Sequence, residues 1–341
     1  MPRVIDIECD LPTPEAYAFR AEGGGKPVLG SGDTFRRWPP GSDEESGLSA
    51  AQRGRGMANY LNIFGPGYAD AVGMSREAFG EARRTRPADE LYADLRGRLM
   101  ARAMPLAAFV QMLAAAGVER ALVGTAQQPS NEYTAQVVEQ FPDRFIGFAR
   151  ISPHDGMGGV RELERLVRER GLRGLAMAPF RERIYANDRR YYPLYAKCAE
   201  LGIPVRLHTS MPYATDRPYD LGHPKYLDDV ASDFPELTII AGLGGWPWVG
   251  DLVALARRYP NLYIDTAAHR PRYFAAPGSG WEMLVQFGNT LLQDKVLVGL
   301  SWLTLSQPYE TLIGEVLALP LKDVVKEKWL YTNAARILGL S

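Results

Sequence analysis

Short apolar runs alternate with longer amphipathic stretches over most of the chain. Eight runs rich in branched apolar side chains occur at 4–8, 120–124, 145–150, 172–177, 204–208, 237–243, 262–265 and 295–299, and runs of this length are typical of buried strands. Stretches with helical periodicity lie between most of them, at 106–116, 160–170, 191–201, 249–258 and 283–292. Eight strands that alternate with helices favour the α/β class and a (β/α)8 TIM barrel. The alternative is an open, doubly wound parallel sheet.

The segment 11–98 interrupts this alternation directly after the first predicted strand. It is rich in Gly, Pro, Arg and Tyr, and it has no sustained periodicity. Because loops that follow barrel strands border the active-site face, we interpret it as an insertion that forms a lid or an arm contacting another subunit. The alternative is a surface excursion without a role. The sequence thus predicts one barrel domain over 1–341, with this insertion inside it.

Composition and charge exclude several classes of protein. The 341 residues are 46% hydrophobic and 23% charged, as in globular proteins, and the net charge is −1. Such a balance gives no field that would attract nucleic acid or anionic lipid, so neither is an expected partner. The chain has two cysteines, no apolar run of membrane-spanning length and no signal-peptide pattern in its first ten residues. These features favour a cytoplasmic protein.

Titratable side chains collect at predicted strand ends, which in a barrel open onto one face, called here the barrel mouth. Strict alternation along the first strand would turn Asp6, Glu8 and Asp10 to the same side. Carboxylates this close need either a metal ion or hydrogen bonds and arginine partners, and both readings remain open. His208 ends the fifth strand and His269 follows the seventh, so both imidazoles are expected near the mouth.

Several segments resemble the amidohydrolase-related family, in the branch of the aminocarboxymuconate semialdehyde and resorcylate decarboxylases. The resemblance covers 4–10 and roughly 105–340, and it rests on AGVER at 116–120, FPDRF at 141–145, GIPV at 202–205 and NAARIL at 333–338. The insertion lies outside it. The resemblance implies a TIM barrel that uses a divalent metal for hydrolysis or decarboxylation.

The metal ligands implied by the resemblance are only partly present. The family's first strand reads Asp-x-His-x-His, and this chain has Asp6, Glu8 and Asp10 at the named positions. Resorcylate-type decarboxylases use Glu at the first ligand position, so Glu8 has a precedent there. His208 matches the next ligand. The predicted metal ligands are therefore Glu8, Asp10 and His208, with Asp6 as a further donor, and Zn, Mn or Fe suits such a mixed set. A metal-free site is the alternative.

Two further family positions have lost their functional groups. Gly242 stands where the family's Ala-His-x-Gly-Gly motif has histidine, and Ser301 stands where the eighth strand has aspartate. Neither replacement carries protons or activates a metal-bound water as the family's residue does. We therefore expect a non-catalytic accessory subunit of a heteromeric metal-dependent enzyme, paired with a homologous barrel that acts on a small molecule. The resemblance includes the 2-aminoisobutyrate hydroxylases, which pair two such barrels.

The alternative is a divergent metal-dependent hydrolase or decarboxylase that acts on a small carboxylated substrate. In that case His269 is the candidate proton carrier, and Arg206 or Arg270 would bind the substrate carboxylate. Trp246 would line the substrate pocket, although packing in the loop after the sixth strand explains it equally well.

Overall fold

The computed structural model describes residues 2–16, 58, 61–62, 65–66, 69, 72–100, 103–125, 130–212, 217–305 and 307–340. Eight parallel strands occur in these ranges, and each overlaps one of the predicted runs. They are β1 (Val4–Asp6), β2 (Val118–Val123), β3 (Phe145–Gly147), β4 (Leu175–Met177), β5 (Val205–His208), β6 (Ile239–Gly242), β7 (Leu262–Asp265) and β8 (Val296–Leu297).

Contacts across the strand ladder close the sheet into a barrel. Hydrogen bonds pair neighbouring strands in the order β1-β2-β3 in one ladder and β4-β5-β6-β7-β8 in another. A parallel bridge between Ala149 and Leu175 connects the two ladders on one side. On the other side the Ile7 amide donates to the Val298 carbonyl at 3.1 Å. The predicted TIM barrel is therefore confirmed, and the open sheet is wrong.

Helices follow most of the strands, and the described ranges also contain helices outside this strand-helix repeat. Those of five or more residues in the described ranges are α1 (Arg76–Thr85), α2 (Ala88–Met100), α3 (Leu106–Ala115), α4 (Asn131–Gln140), α5 (Gly156–Arg170), α6 (Tyr192–Leu201), α7 (Leu227–Asp233), α8 (Val249–Arg258), α9 (Glu282–Gly288), α10 (Tyr309–Leu317), α11 (Asp323–Glu327) and α12 (Asn333–Ile337). A π-helical segment, Lys328–Thr332, leads into α12. Single turns occur at Pro179–Glu182 and Trp302–Leu305. A helix occurs in each of the five predicted helical stretches, although the one predicted at 283–292 ends at Gly288.

Two apolar layers explain which side chains reach the mouth. Val205 and Leu207 of β5 pack outward among the helices. Inside the barrel, Ile146 and Leu297 belong to an apolar cluster that includes Leu338, just beyond α12. Because side chains alternate along a strand, Arg206 and His208 of β5 face the barrel interior. The strand ends therefore bring polar groups together above an apolar base.

The described part of the predicted insertion forms a small separate cluster. Phe79 of α1 packs with Leu91 and Leu95 of α2 and with Leu61. Most of 11–71 lies outside the described residues, and the lid or arm expected for 11–98 stays a prediction. In the ranges given above, no helix is both long and apolar enough to cross a membrane.

Candidate active site

A buried arginine of β5 joins the end of β7 to the segment that follows β1. Arg206 of β5 is 3% exposed. Its Nε donates to Asp265 Oδ2 of β7 at 2.7 Å, and its Nη2 donates to Asp265 Oδ1 at 3.3 Å and to Glu8 Oε2. We call these three residues the Arg206 cluster. Burial alone would lower the pKa of Arg206, but Asp265 and Glu8 outweigh it and the pKa is raised, so the guanidinium stays charged.

Both carboxylates of the Arg206 cluster have their oxygens engaged. Asp265 Oδ1 also accepts the backbone amides of Leu243 and Ala267, each at 3.0 Å. Glu8 Oε1 lies 3.5 Å from the Ser301 hydroxyl, which donates to it. Burial and the nearby carboxylates raise the pKa of Glu8, while Arg206 opposes that shift. The cluster is a buried salt bridge of one guanidinium with two carboxylates, in which every carboxylate oxygen accepts a hydrogen bond.

Asp6 does not point with Glu8, contrary to the expected alternation. β1 ends at Asp6, and the chain bends over the next two residues. Asp6 Oδ1 accepts the amides of Leu300 at 2.7 Å and Glu8 at 3.1 Å, and its Oδ2 meets the Tyr309 hydroxyl at 3.1 Å. Burial raises the pKa of Asp6 to about 7, although these hydrogen bonds oppose the shift. Asp6 therefore fastens β1 to the segment after β8.

The other two predicted ligands also face separate partners. Asp10 Oδ2 accepts the Thr304 hydroxyl at 3.3 Å. The His208 ring lies against Phe180, with centroids 4.5 Å apart. Burial, with the positive charges of Arg181 and Arg206, lowers the pKa of His208 to about 3, so the imidazole is neutral. Among the described residues, no three His, Cys, Asp or Glu side chains group as a metal site requires.

The donor set therefore does not fit a divalent metal. Glu8 is already bound to a cation, and a divalent ion about 4 Å from that guanidinium would be repelled by about 8 kcal/mol at an effective dielectric constant near 20. The residues at 242 and 301, where the family has metal-site side chains, also do not suit a metal ion. Gly242 lies against Arg206, and a Cβ there would be 3.1 Å from Nη2. The Ser301 hydroxyl accepts the Ala268 amide at 2.8 Å.

An aromatic cleft opens beside the Arg206 cluster, between the loops that follow β6 and β7. We call it the His269 cleft. It encloses about 430 Å³. Its lining is Trp246, His269, Arg270, Tyr273, Ala276, Pro277, Gly278, Ser279 and Trp281. Gly244, at φ 61°, lets the β6 loop pass Trp281, because a Cβ there would lie 2.2 Å from the indole.

His269 lines the cleft, and its pKa is shifted so that the neutral imidazole is favoured. Its ring centroid is 4.9 Å from that of Trp281 and 5.9 Å from that of Trp246. Burial lowers the pKa of His269 to about 4, although the charge of Asp265 opposes the shift. The imidazole is therefore uncharged at neutral pH, when one ring nitrogen donates and the other accepts.

The structure separates the residues expected to bind substrate. Trp246 and Arg270 line the same cleft as His269. The Arg270 guanidinium is bound by Glu315, with Nε 3.0 Å from Oε2. Arg206 is buried in its cluster and does not line the cleft, so its expected role as a carboxylate clamp is not supported by its position.

Sequence reasoning missed two residues of the mouth. The apolar pattern marks Asp265 only as the end of the seventh strand, yet this residue holds Arg206. A buried arginine in the fifth strand is the signal that a carboxylate must face it. Arg181 follows β4 and lies close enough to His208 to lower its pKa. Its place in the single helical turn Pro179–Glu182 gives no such signal.

Comparison with known proteins identifies several decarboxylases and a hydratase as relatives. The chain is 26% identical over 236 residues to 2-amino-3-carboxymuconate-6-semialdehyde decarboxylase of Dictyostelium discoideum, a match that covers 62% of this chain and 65% of the relative. It is 34% identical over 101 residues to gamma-resorcylate decarboxylase of a Polaromonas species, which covers 28% of this chain and 31% of the relative. The chain thus spans less than two thirds of the length of these relatives.

Solved structures agree on the fold. The 5-carboxyvanillate decarboxylase of Sphingomonas paucimobilis superposes over all of both chains with a TM-score of 0.60 and 18% identity. A 5-carboxyvanillate decarboxylase of Novosphingobium aromaticivorans, solved with bound manganese, covers 82% of this chain and 93% of its own, with a TM-score of 0.55 and 15% identity. At least one decarboxylase with this fold therefore binds a divalent metal.

A family model places the chain among these proteins. The model described as Amidohydrolase matches residues 37–340, which is most of the chain and includes much of the segment that we interpreted as an insertion. The match agrees with the closed parallel barrel. The chain belongs to the amidohydrolase family.

Proposed function

We propose that the chain is a decarboxylase-type lyase that acts on a small aromatic or unsaturated carboxylic acid. The observation that carries the proposal is the His269 cleft, in which Trp246, Tyr273 and Trp281 surround a neutral imidazole. The cleft lies at the barrel face where enzymes of this fold hold their substrates. Aromatic walls favour a flat ligand, because rings stack in offset or edge-to-face arrangements.

The size of the cleft and the relatives support the same ligand class. A volume of about 430 Å³ suits a small organic acid. The relatives named above are decarboxylases of a carboxymuconate semialdehyde and of gamma-resorcylate, which are small unsaturated acids.

His269 would move the proton in this reaction. In a decarboxylation the bond to the carboxyl carbon breaks, CO2 leaves, and the electron pair that stays behind takes up a proton. A bound carboxylate raises the pKa of a neighbouring imidazole, because it favours the charged form. The pKa of His269, which burial lowers to about 4, would thus rise toward the range useful for proton transfer when substrate binds.

The test is turnover by the purified chain with 5-carboxyvanillate and gamma-resorcylate, followed by CO2 release. We expect wild-type protein to release CO2 and His269→Gln to lose about 100-fold or more in kcat, as for other general acids. His223→Gln is the matched control, because His223 stacks on Trp248 and does not line the cleft. Equal rates for wild type and His269→Gln would contradict the role of His269. Failure of the wild type to act on any small unsaturated acid would contradict the reaction.

The second candidate function is an accessory barrel that pairs with a homologous, metal-bearing subunit. The specific observation in its favour is the closed Arg206 cluster, together with Gly242 and Ser301 at two positions of the family's catalytic residues. Native mass spectrometry of protein from its source organism separates the two candidates. A copurifying homologous barrel that carries the metal would support the accessory role, and a homo-oligomer that is active alone would contradict it.

A further inference from the structure

We propose that the guanidinium of Arg206 is a permanent internal cation that takes the place of the divalent metal bound by related decarboxylases. The chain then needs no metal ion for its fold or for the order of its barrel mouth. This inference goes beyond the proposed reaction and does not depend on it, because metal content and unfolding are measured without substrate.

Arg206 makes the contacts that any cation between Glu8 and Asp265 must make. Glu8 and Asp265 are both buried, at 8% and 0% exposure, and two such carboxylates are unstable together without positive charge. Arg206 meets both of them through Nε and Nη2. The remaining oxygen of Glu8 and the shared oxygen of Asp265 take hydrogen bonds from Ser301 and from backbone amides. No carboxylate oxygen of the cluster is left to require a second cation.

Gly242 supplies the space that the guanidinium fills. A Cβ at this position would lie 3.1 Å from Arg206 Nη2, 3.2 Å from its Cζ and 3.0 Å from the Leu207 carbonyl oxygen. The backbone of Gly242 is extended, with φ −76°, so the absence of a side chain is not required by conformation. Glycine at 242 is explained by Arg206. Any side chain there, including the histidine of the family motif, would start from a Cβ that is closer to the guanidinium than ordinary van der Waals contact.

Ser301 fits the same arrangement. Its hydroxyl accepts the Ala268 amide at 2.8 Å and donates to Glu8 Oε1 at 3.5 Å. A carboxylate at this position would add a third negative charge to the Arg206 cluster, which holds one cation only. With the neutral serine the cluster has one guanidinium against two carboxylates, rather than against three. The residues at 206, 242 and 301 are thus all consistent with a guanidinium, rather than a metal ion, as the cation of the barrel mouth.

The first experiment uses the full-length wild-type chain. The protein is purified with Mn²⁺ or Zn²⁺ in the medium, and its metal content is measured by inductively coupled plasma mass spectrometry. Thermal unfolding is then followed with each ion and with EDTA. We expect much less than one ion per chain and an unfolding midpoint that neither ion nor chelator shifts. About one ion per chain, with a midpoint that falls by several degrees in EDTA, would overturn the proposal.

Variants then locate the effect at the Arg206 cluster. Arg206→Met should lower the unfolding midpoint by several degrees, since two buried carboxylates lose their cation, and Mn²⁺ should restore part of the loss. Adding Glu8→Gln and Asp265→Asn should raise the midpoint above that of Arg206→Met and abolish the response to Mn²⁺. Arg270→Met is the control, because it removes a similar ion pair outside the barrel and should gain no response to Mn²⁺.

A wild-type midpoint retained by Arg206→Met, or an equal response to Mn²⁺ in all variants, would overturn the proposal. Where Arg206→Met yields no folded protein, the wild-type metal content and the EDTA measurement still decide it. A failed substrate search leaves this inference intact, and an ion found in wild-type protein leaves the proposed reaction intact.

Discussion

A missing side chain at Gly242 makes room for Arg206, and this contact gives a sharp prediction at the scale of single residues. Gly242→Ala places a methyl group 3.0 Å from the Leu207 carbonyl oxygen and 3.1 Å from Arg206 Nη2. Overpacking of this kind costs about 1–3 kcal/mol of unfolding free energy. Urea unfolding of the variant measures the loss.

Gly314→Ala is the matched control for that substitution. Gly314 lies inside α10, and a methyl group added there would have nothing within 4 Å. At this position the change to alanine should stabilise the protein by about 0.5–1 kcal/mol, because glycine disfavours a helix interior. A Gly242→Ala variant as stable as wild type would show that the guanidinium does not occupy this space.

His269 predicts a pH dependence of stability. The unfolded chain protonates this residue near pH 6.5, whereas the folded chain resists protonation until about pH 4. Stability from the neutral imidazole is therefore present above pH 6.5 and is lost as the pH falls toward 4, by about 3 kcal/mol in total. Between pH 7 and pH 4.5, His269→Gln should lose about 2 kcal/mol less than wild type in urea unfolding.

The comparison of the two proteins isolates His269 from other titrating groups. Asp6, whose pKa is raised to about 7, acts in the opposite direction, since it destabilises the fold as the pH rises from 3.8 to 7. That contribution is the same in both proteins and cancels in the difference. Parallel pH profiles for wild type and His269→Gln would contradict the lowered pKa of the imidazole.

At the scale of elements, the first strand shows where sequence reasoning reached its limit. Its apolar pattern predicted β1 correctly, but alternation placed Asp6, Glu8 and Asp10 on one side. Alternation holds only within a strand, and β1 ends at Asp6. Beyond it the chain bends, so that Asp6 turns to Tyr309 and Glu8 turns to Arg206. The end of a strand depends on neighbouring strands and is not encoded in the pattern itself.

Lys295 ties two elements together and gives a prediction at this scale. Its Nζ donates to the carbonyls of Ala256 at 3.0 Å, Leu262 at 3.3 Å and Tyr259, which joins the end of α8 to the start of β7. Lys295→Met removes the ammonium donor from these carbonyls and should cost about 1–3 kcal/mol of unfolding free energy. Lys322→Met, at an exposed position, should change it by about 0.5 kcal/mol or less. Equal effects of the two variants would contradict this role.

At the scale of the whole molecule, the barrel was predictable and its central ion pair was not. Eight apolar runs separated by helices are a local signal repeated along the chain, and this number of repeats favours a closed barrel over an open sheet. The Arg206 cluster joins residues 198 and 59 positions apart. Only the closed barrel brings these residues together, so local patterns contain no sign of the pairing. The His269 cleft was predictable in part, because Trp246, His269 and Arg270 follow strand ends.

The same long-range pairing changes how the missing family residues are interpreted. From sequence, Gly242 and Ser301 indicate losses that leave an incomplete metal centre. In the folded chain both residues contact the Arg206 cluster, which satisfies its own charges. The barrel mouth therefore differs from a metal centre, because the side chain of Arg206 supplies the positive charge between the carboxylates.

An anomalous diffraction map at the manganese edge, from wild-type crystals grown with Mn²⁺, tests this account most directly. We predict electron density for the Arg206 guanidinium between Glu8 and Asp265 and no anomalous peak at the barrel mouth. A peak ligated by Glu8 and His208, with Arg206 displaced from Asp265, would contradict it.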